Sequence, residues 1–280
     1  NTALNLGDGS EESPYIITEA SQLVALENVL ALDAKNAASI DITNYMSALS
    51  GSDGQNQWIT AETGTLTENQ LNAIISHLQK SCYRLANDID FSAIYDNNRQ
   101  MYYNTFTGAG TSGHPFKGKF DGRGFTILLS RGNNTQAISD NFGLFKYVNG
   151  ATVSNVTLTT HGKDMITGEE KDHLILLSDQ NSSYDGSYNG AIAGVISGND
   201  NTFSHVRTSV HFKDTSKTVS ETDRHKVYAG GLAGNVSAGT LILQNMPQNF
   251  AQGFTVLDQN DAEISYEEGT ADGNTLSQFY

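Results

Sequence analysis

Apolar residues before about position 80 recur at helical spacing, and from Pro115 onward they alternate. The short apolar run Tyr15-Ile16-Ile17 predicts a strand. Thr18 is then placed to cap a helix, with Glu19 near its positive end. Leu23, Leu26, Val29 and Leu30 give that helix one apolar stripe, over about 19–31. A second helix over about 67–80 is better marked. Thr67-Glu68-Asn69-Gln70 fits a capping box, and Leu71, Ile74, Ile75 and Leu78 follow on one face. The intervening stretch is rich in Ser, Gly, Asn and Asp and reads as an insertion at about 31–64, with a short helical turn around Tyr45 to Leu49. Beyond Pro115, Phe116-Lys117-Gly118-Lys119-Phe120 alternates. Asp121-Gly122-Arg123-Gly124 then makes a tight turn, and Phe125-Thr126-Ile127-Leu128-Leu129 resumes the strand.

Three later stretches repeat one pattern. Leu144-Phe145-Lys146-Tyr147-Val148 returns as Ile192-Ala193-Gly194-Val195-Ile196 and as Leu232-Ala233-Gly234-Asn235-Val236. Each is followed by a turn rich in Gly, Asn and Ser and by a second β-rich run, Thr152 to Leu158, Phe203 to Arg207 and Thr240 to Asn245 respectively. Internal repetition of this kind marks units that bury their apolar faces against one another. The fold expected is all-β with small helical additions: a right-handed parallel β-helix (solenoid) closed by an N-terminal helical cap. Residues 1–114 would form the cap region, 115–249 the β-helix, and 250–280 a C-terminal coil or the start of a following segment. Leu144, Ile192 and Leu232 should share one interior column, and Val148, Ile196 and Val236 another. The stretches 161–188 and 211–226 should be loops inserted on one face.

Composition narrows the functional classes. Of 280 residues, 38% are hydrophobic and 27 are Gly, which suits short strands and tight turns. A net charge of −15 argues against nucleic acid or an anionic membrane as partner, and no apolar run is long enough to span a bilayer. The lone Cys82 cannot form an intrachain disulfide and is expected as a buried thiol in a helical stretch. Asn1 is not preceded by a basic and apolar leader, so a signal peptide is absent from this chain.

Residues 86–249 resemble the GLUG-motif repeat family of bacterial surface and secreted proteins. Asn87-Asp88-Ile89-Asp90, the run Pro115 to Ile127 and the three repeats bear the likeness, as does the opening Gly7-Asp8-Gly9-Ser10 to Ile17 with the helix after it. Lys146 departs from the pattern, standing where the other repeats have Gly194 and Gly234. The resemblance implies a right-handed parallel β-helix displayed on the bacterial cell surface, in proteins that are often adhesins. It brings no catalytic residues.

Candidate chemistry is sparse. Tyr184, Asp185 and Tyr188, in Tyr-Asp-Gly-Ser-Tyr, could stack on and hydrogen-bond a sugar, or Tyr188 could anchor the next repeat. Asp88 and Asp90 could ligate calcium through oxygen, although the spacing of a calcium loop is lacking and capping is the plainer role. Calcium is therefore the one cofactor raised. Asn155, His205 and Asn245 end equivalent runs and read as an interior polar ladder or as a ligand-binding row. Asp121 before Gly reads as turn chemistry rather than a catalytic carboxylate. There is no assembled nucleophile or zinc motif. The expected function is a non-enzymatic adhesin-like module binding an extracellular glycan or protein. A polysaccharide-cleaving lyase or glycosidase is the first alternative, and a stalk or scaffold without a ligand the second.

Overall fold

The computed structural model describes residues 7–49, 64–92, 95–96, 101–132, 134–164, 167–178, 187–215, 227–251, 253–258, 260–263, 270–271 and 274–275. Helices α1 (Ala20–Leu30), α2 (Thr43–Leu49) and α3 (Glu68–Lys80) fall where the periodicity places them. The α3 start has the reciprocal Thr67–Gln70 box, with the Gln70 backbone N–H donating to Thr67 Oγ1 at 3.3 Å. The cap of α1 is Glu19 rather than Thr18. Buried Gln22 explains the shift. Its amide nitrogen is tied to the carbonyls of Ile16 and Leu49, which leaves Oε1 to accept from the N–H groups of Thr18 and Glu19.

The largest sheet is wholly parallel. Its strands run Tyr15–Ile17, Cys82–Leu85, Lys119–Asp121, Thr152–Ser154, Ala193–Ser204 and Ala233–Gln244 in spatial order, with Phe145–Asn149 also pairing with Ala193–Ser204. A second parallel sheet runs Ile89–Asp90, Thr126–Leu128, Thr157–Thr159, Arg207–Ser209. A third joins Ile175–Leu177, His211–Asp214 and Thr255–Leu257, and Ser187–Gly190 pairs with Val227–Gly230. Three antiparallel pairs complete the described strands: His161–Lys163 with Glu170–Asp172, Tyr95–Asp96 with Met101–Tyr102, and Thr270–Ala271 with Asn274–Thr275.

This arrangement corrects the expectation of an all-β right-handed parallel β-helix with a helical cap. The architecture is of α/β type: a parallel main sheet curved as a half-barrel, with six smaller sheets among the described residues and the helices beside it. The first two strands show why. Tyr15–Ile17 and Cys82–Leu85 are parallel neighbours, and α1, α2 and α3 all lie in the connection between them. Parallel neighbours require a crossover, usually helical. Helices that read as a lid are thus part of a β-to-β crossover, and repeats further along the chain are silent on that.

Pairing within the repeats follows the sequence. Val148 is level with Ile196, which is level with Val236, and Leu144, Ile192 and Leu232 are fully buried. One apolar cluster extends from Tyr15 to Val256 and includes Leu26, Leu30, Ile74 and Leu78. Phe116 and Phe145 stack inside it, with ring centroids 3.9 Å apart. Gly118 permits close approach, since a Cβ there would lie 2.0 Å from the Ser81 carbonyl oxygen, which accepts the Lys119 N–H at 3.2 Å. Cys82 lies on a strand rather than a helix, half-buried, and burial raises its thiol pKa. The stretches read as inserted loops contribute strands, because Ile175, Leu177, Val210 and Phe212 alternate inward.

Candidate functional site

Three of the passages from the main sheet to the second are made at a residue in the left-handed backbone region. Arg123 (φ 52°), Asn155 (φ 54°) and His205 (φ 51°) turn three successive strands, and Asn245 (φ 48°) ends the fourth. Asn tolerates this conformation, whereas Arg and His adopt it at a cost of about 1–2 kcal/mol. The turn column fixes a concave corner. A cleft of about 510 Å³ opens there, lined by Asp121, Arg123, Gly124, Asn155, Val156, Thr157, His205 and Arg207. That size is in the range of small-ligand sites.

The cleft has a regular build. Its two walls belong to rows of level residues, Thr126, Thr157 and Arg207 on one sheet and Arg84, Asp121, Ser154, Ser204 and Gln244 on the other, of which Asp121, Thr157 and Arg207 line the cleft. Successive groups along each wall are therefore about 4.8 Å apart. Asp121 is already engaged. Its Oδ1 accepts from the Arg123 backbone N–H at 2.9 Å and from Asn155 Nδ2 at 3.0 Å, while the Arg84 guanidinium lies 3.5 Å from Oδ2. Arg123, His205 and Arg207 are exposed. Among the described residues, neither Arg123 nor Arg207 has a carboxylate within ion-pair distance. A locally cationic corner thus sits on a chain of net charge −15.

Of the predicted site residues, the described ones, Tyr188, Asp88 and Asp90, are not among those lining the cleft. Tyr184 and Asp185 lie outside the described residues. Tyr188 stacks on Tyr228, level with it on the neighbouring strand, with ring centroids 5.0 Å apart at 18°. Tyr228 is 39% exposed. This geometry fits the anchoring role for Tyr188. Asp88 Oδ1 accepts the Thr126 N–H at 2.7 Å, and Asp90 Oδ1 accepts the Ser92 N–H at 2.6 Å. Both bonds tie down backbone, and no cluster of three or more His, Cys, Asp or Glu side chains suited to a metal forms among the described residues. Asn155, His205 and Asn245 do not form an interior ladder. They turn the chain, His205 and Asn245 are exposed, and the first two line the cleft.

The sequence reading missed Arg123 and Arg207 as site residues. The signal was there in the repeats: His205-Val206-Arg207 stands in the place of Asn155-Val156-Thr157, so a cation replaces a threonine at one outward position. Away from the cleft, Glu27 on α1 grips a loop. Its Oε1 accepts from Thr107 N at 3.0 Å, Thr107 Oγ1 at 2.8 Å and Gly108 N at 3.1 Å, and desolvation raises its pKa above 4.5. These bonds are structural.

No protein-family model matches the chain, and no curated protein matches it. Among solved structures, the chain is similar to one from Bacteroides ovatus described as a putative immunoglobulin A1 protease. Identity is 14% and the TM-score 0.30, over 95% of this chain and 84% of that one. So low a score supports no conclusion about fold or activity.

Proposed function

We propose that this chain is a non-enzymatic, adhesin-like module of the GLUG-motif type, displayed outside a bacterial cell, which binds an extracellular glycan. The observation that supports this reading most is the polar corner cleft, where hydroxyl, amide and guanidinium groups recur on successive strands. Their spacing of about 4.8 Å is close to the length of one sugar unit, so a linear saccharide laid across the strands meets a fresh set of donors at each step. Asp121 is occupied by Arg84, Asn155 and the Arg123 backbone, and a cleft built for glycoside hydrolysis needs a second carboxyl group facing it. Among the described residues that line the cleft, Asp121 is the single carboxylate.

A glycan array probed with the wild type and with the double variant Arg123→Gly/Arg207→Gln tests the proposal. Binding by the wild type that is lost in the variant is expected. Equal binding by both proteins would place the site elsewhere, and release of reducing ends or unsaturated sugars from any bound glycan would overturn the non-enzymatic reading.

A further inference from the structure

We infer that the corner cleft selects a saccharide carrying one isolated carboxylate, seated at Arg207, with its neutral units on Thr157, Asn155 and Arg123. This rests on the glycan-binding reading above and specifies its ligand. The two arginines are not equivalent. Arg123 shares its turn with Asp121, whose charge Arg84 offsets, so this end of the cleft is close to neutral apart from the Arg123 side chain itself. Arg207 lies at the far end, level with Thr157 and two strands, about 10 Å, from Thr126. Its neighbour along the lining is His205, and among the described residues no carboxylate side chain lines that end. Val206 between them is fully buried, whereas His205 and Arg207 are exposed and both line the cleft. A guanidinium without a carboxylate partner is suited to bidentate recognition of one.

The whole chain sets the limit on charge. At −15 the protein repels a polyanion at long range, whereas a single acidic unit on a neutral saccharide meets mainly the local field of the cleft. The ligand class is therefore a neutral oligosaccharide bearing one acidic sugar, and a polyuronate is disfavoured. The middle of the cleft is uncharged, with Asn155, Val156 and Thr157 supplying an amide, an apolar face and a hydroxyl, as a neutral sugar ring requires.

The test measures affinity for paired probes: neutral oligosaccharides and the same saccharides ending in one sialic or uronic acid, with polygalacturonate alongside. Wild-type protein should bind the mono-acid member about tenfold or more tightly than its neutral partner, and more tightly than polygalacturonate per site. Arg207→Gln should remove that preference, a loss of about tenfold to a hundredfold for the acidic probe, and weaken the neutral probe by a smaller factor. Arg123→Gly, which suits the left-handed turn, should weaken both members of a pair equally. Lys80→Gln, on an exposed helix end away from the cleft, controls for overall charge and should change neither. Equal affinity for acidic and neutral partners, or an acid preference that survives Arg207→Gln in a folded protein, overturns the inference and leaves glycan binding standing. Failure of every probe to bind removes the glycan reading itself.

Discussion

Ile196 occupies the middle of an interior column, with Val148 level on one side and Val236 on the other, and it is fully buried. Ile196→Ala removes three carbons. At about 0.8 kcal/mol each, their transfer back to water accounts for about 2.4 kcal/mol. The neighbouring strands are held by backbone hydrogen bonds on both sides and cannot collapse into the gap, so a cavity contribution adds to this and the expected loss is about 3–4 kcal/mol. Val236 lies on the last described strand of the same sheet and is partly buried. Val236→Ala removes two carbons from a site with less to lose, and about 1 kcal/mol is expected. Urea unfolding of the wild type and both variants, compared at unchanged m, measures the two losses. A difference of about 2 kcal/mol between them is the signature of a column that is interior at Ile196 and open at its end. Equal losses, or a larger one at Val236, would refute the register.

Three further outcomes follow from the geometry. Gly118→Ala should cost about 3 kcal/mol or more, because the new methyl meets the Ser81 carbonyl and separates two paired strands; thermal unfolding unchanged from wild type would disprove that contact. Glu27 has a folded pKa above its unfolded value near 4.5, so the native state takes up a proton first and stability falls as pH rises through that window. Relative to Glu27→Gln, the wild type should gain stability as pH is lowered toward 4.5, and a relative loss on acidification would contradict the buried-carboxyl account. Arg123→Gly exchanges a strained left-handed arginine for a residue at ease there, offset by glycine's unfolded-state entropy, so stability should stay within about 1 kcal/mol of wild type. A greater loss by calorimetry would assign the Arg123 side chain a structural role.

The amino-acid sequence by itself determined the local elements and their pairing. The stripes of α1 and α3, the Thr67 capping box and the level alignment of Val148, Ile196 and Val236 all arise from interactions within a few residues or between repeated segments, which a one-dimensional pattern records. Strand signals were also present at Ile175–Leu177 and His211–Asp214, though their place between repeats made them read as loops. What only the tertiary structure decided is how those elements close on one another. Parallel pairing of Tyr15–Ile17 with Cys82–Leu85 spans α1, α2 and α3, and no local preference reports a contact across so long a connection. The cleft is decided the same way. Arg123, Asn155 and Arg207 are far apart in the chain and each is an ordinary surface residue alone; they share a site because left-handed turns on adjacent parallel strands fall into one column, so that strand spacing, and not sequence distance, sets their separation.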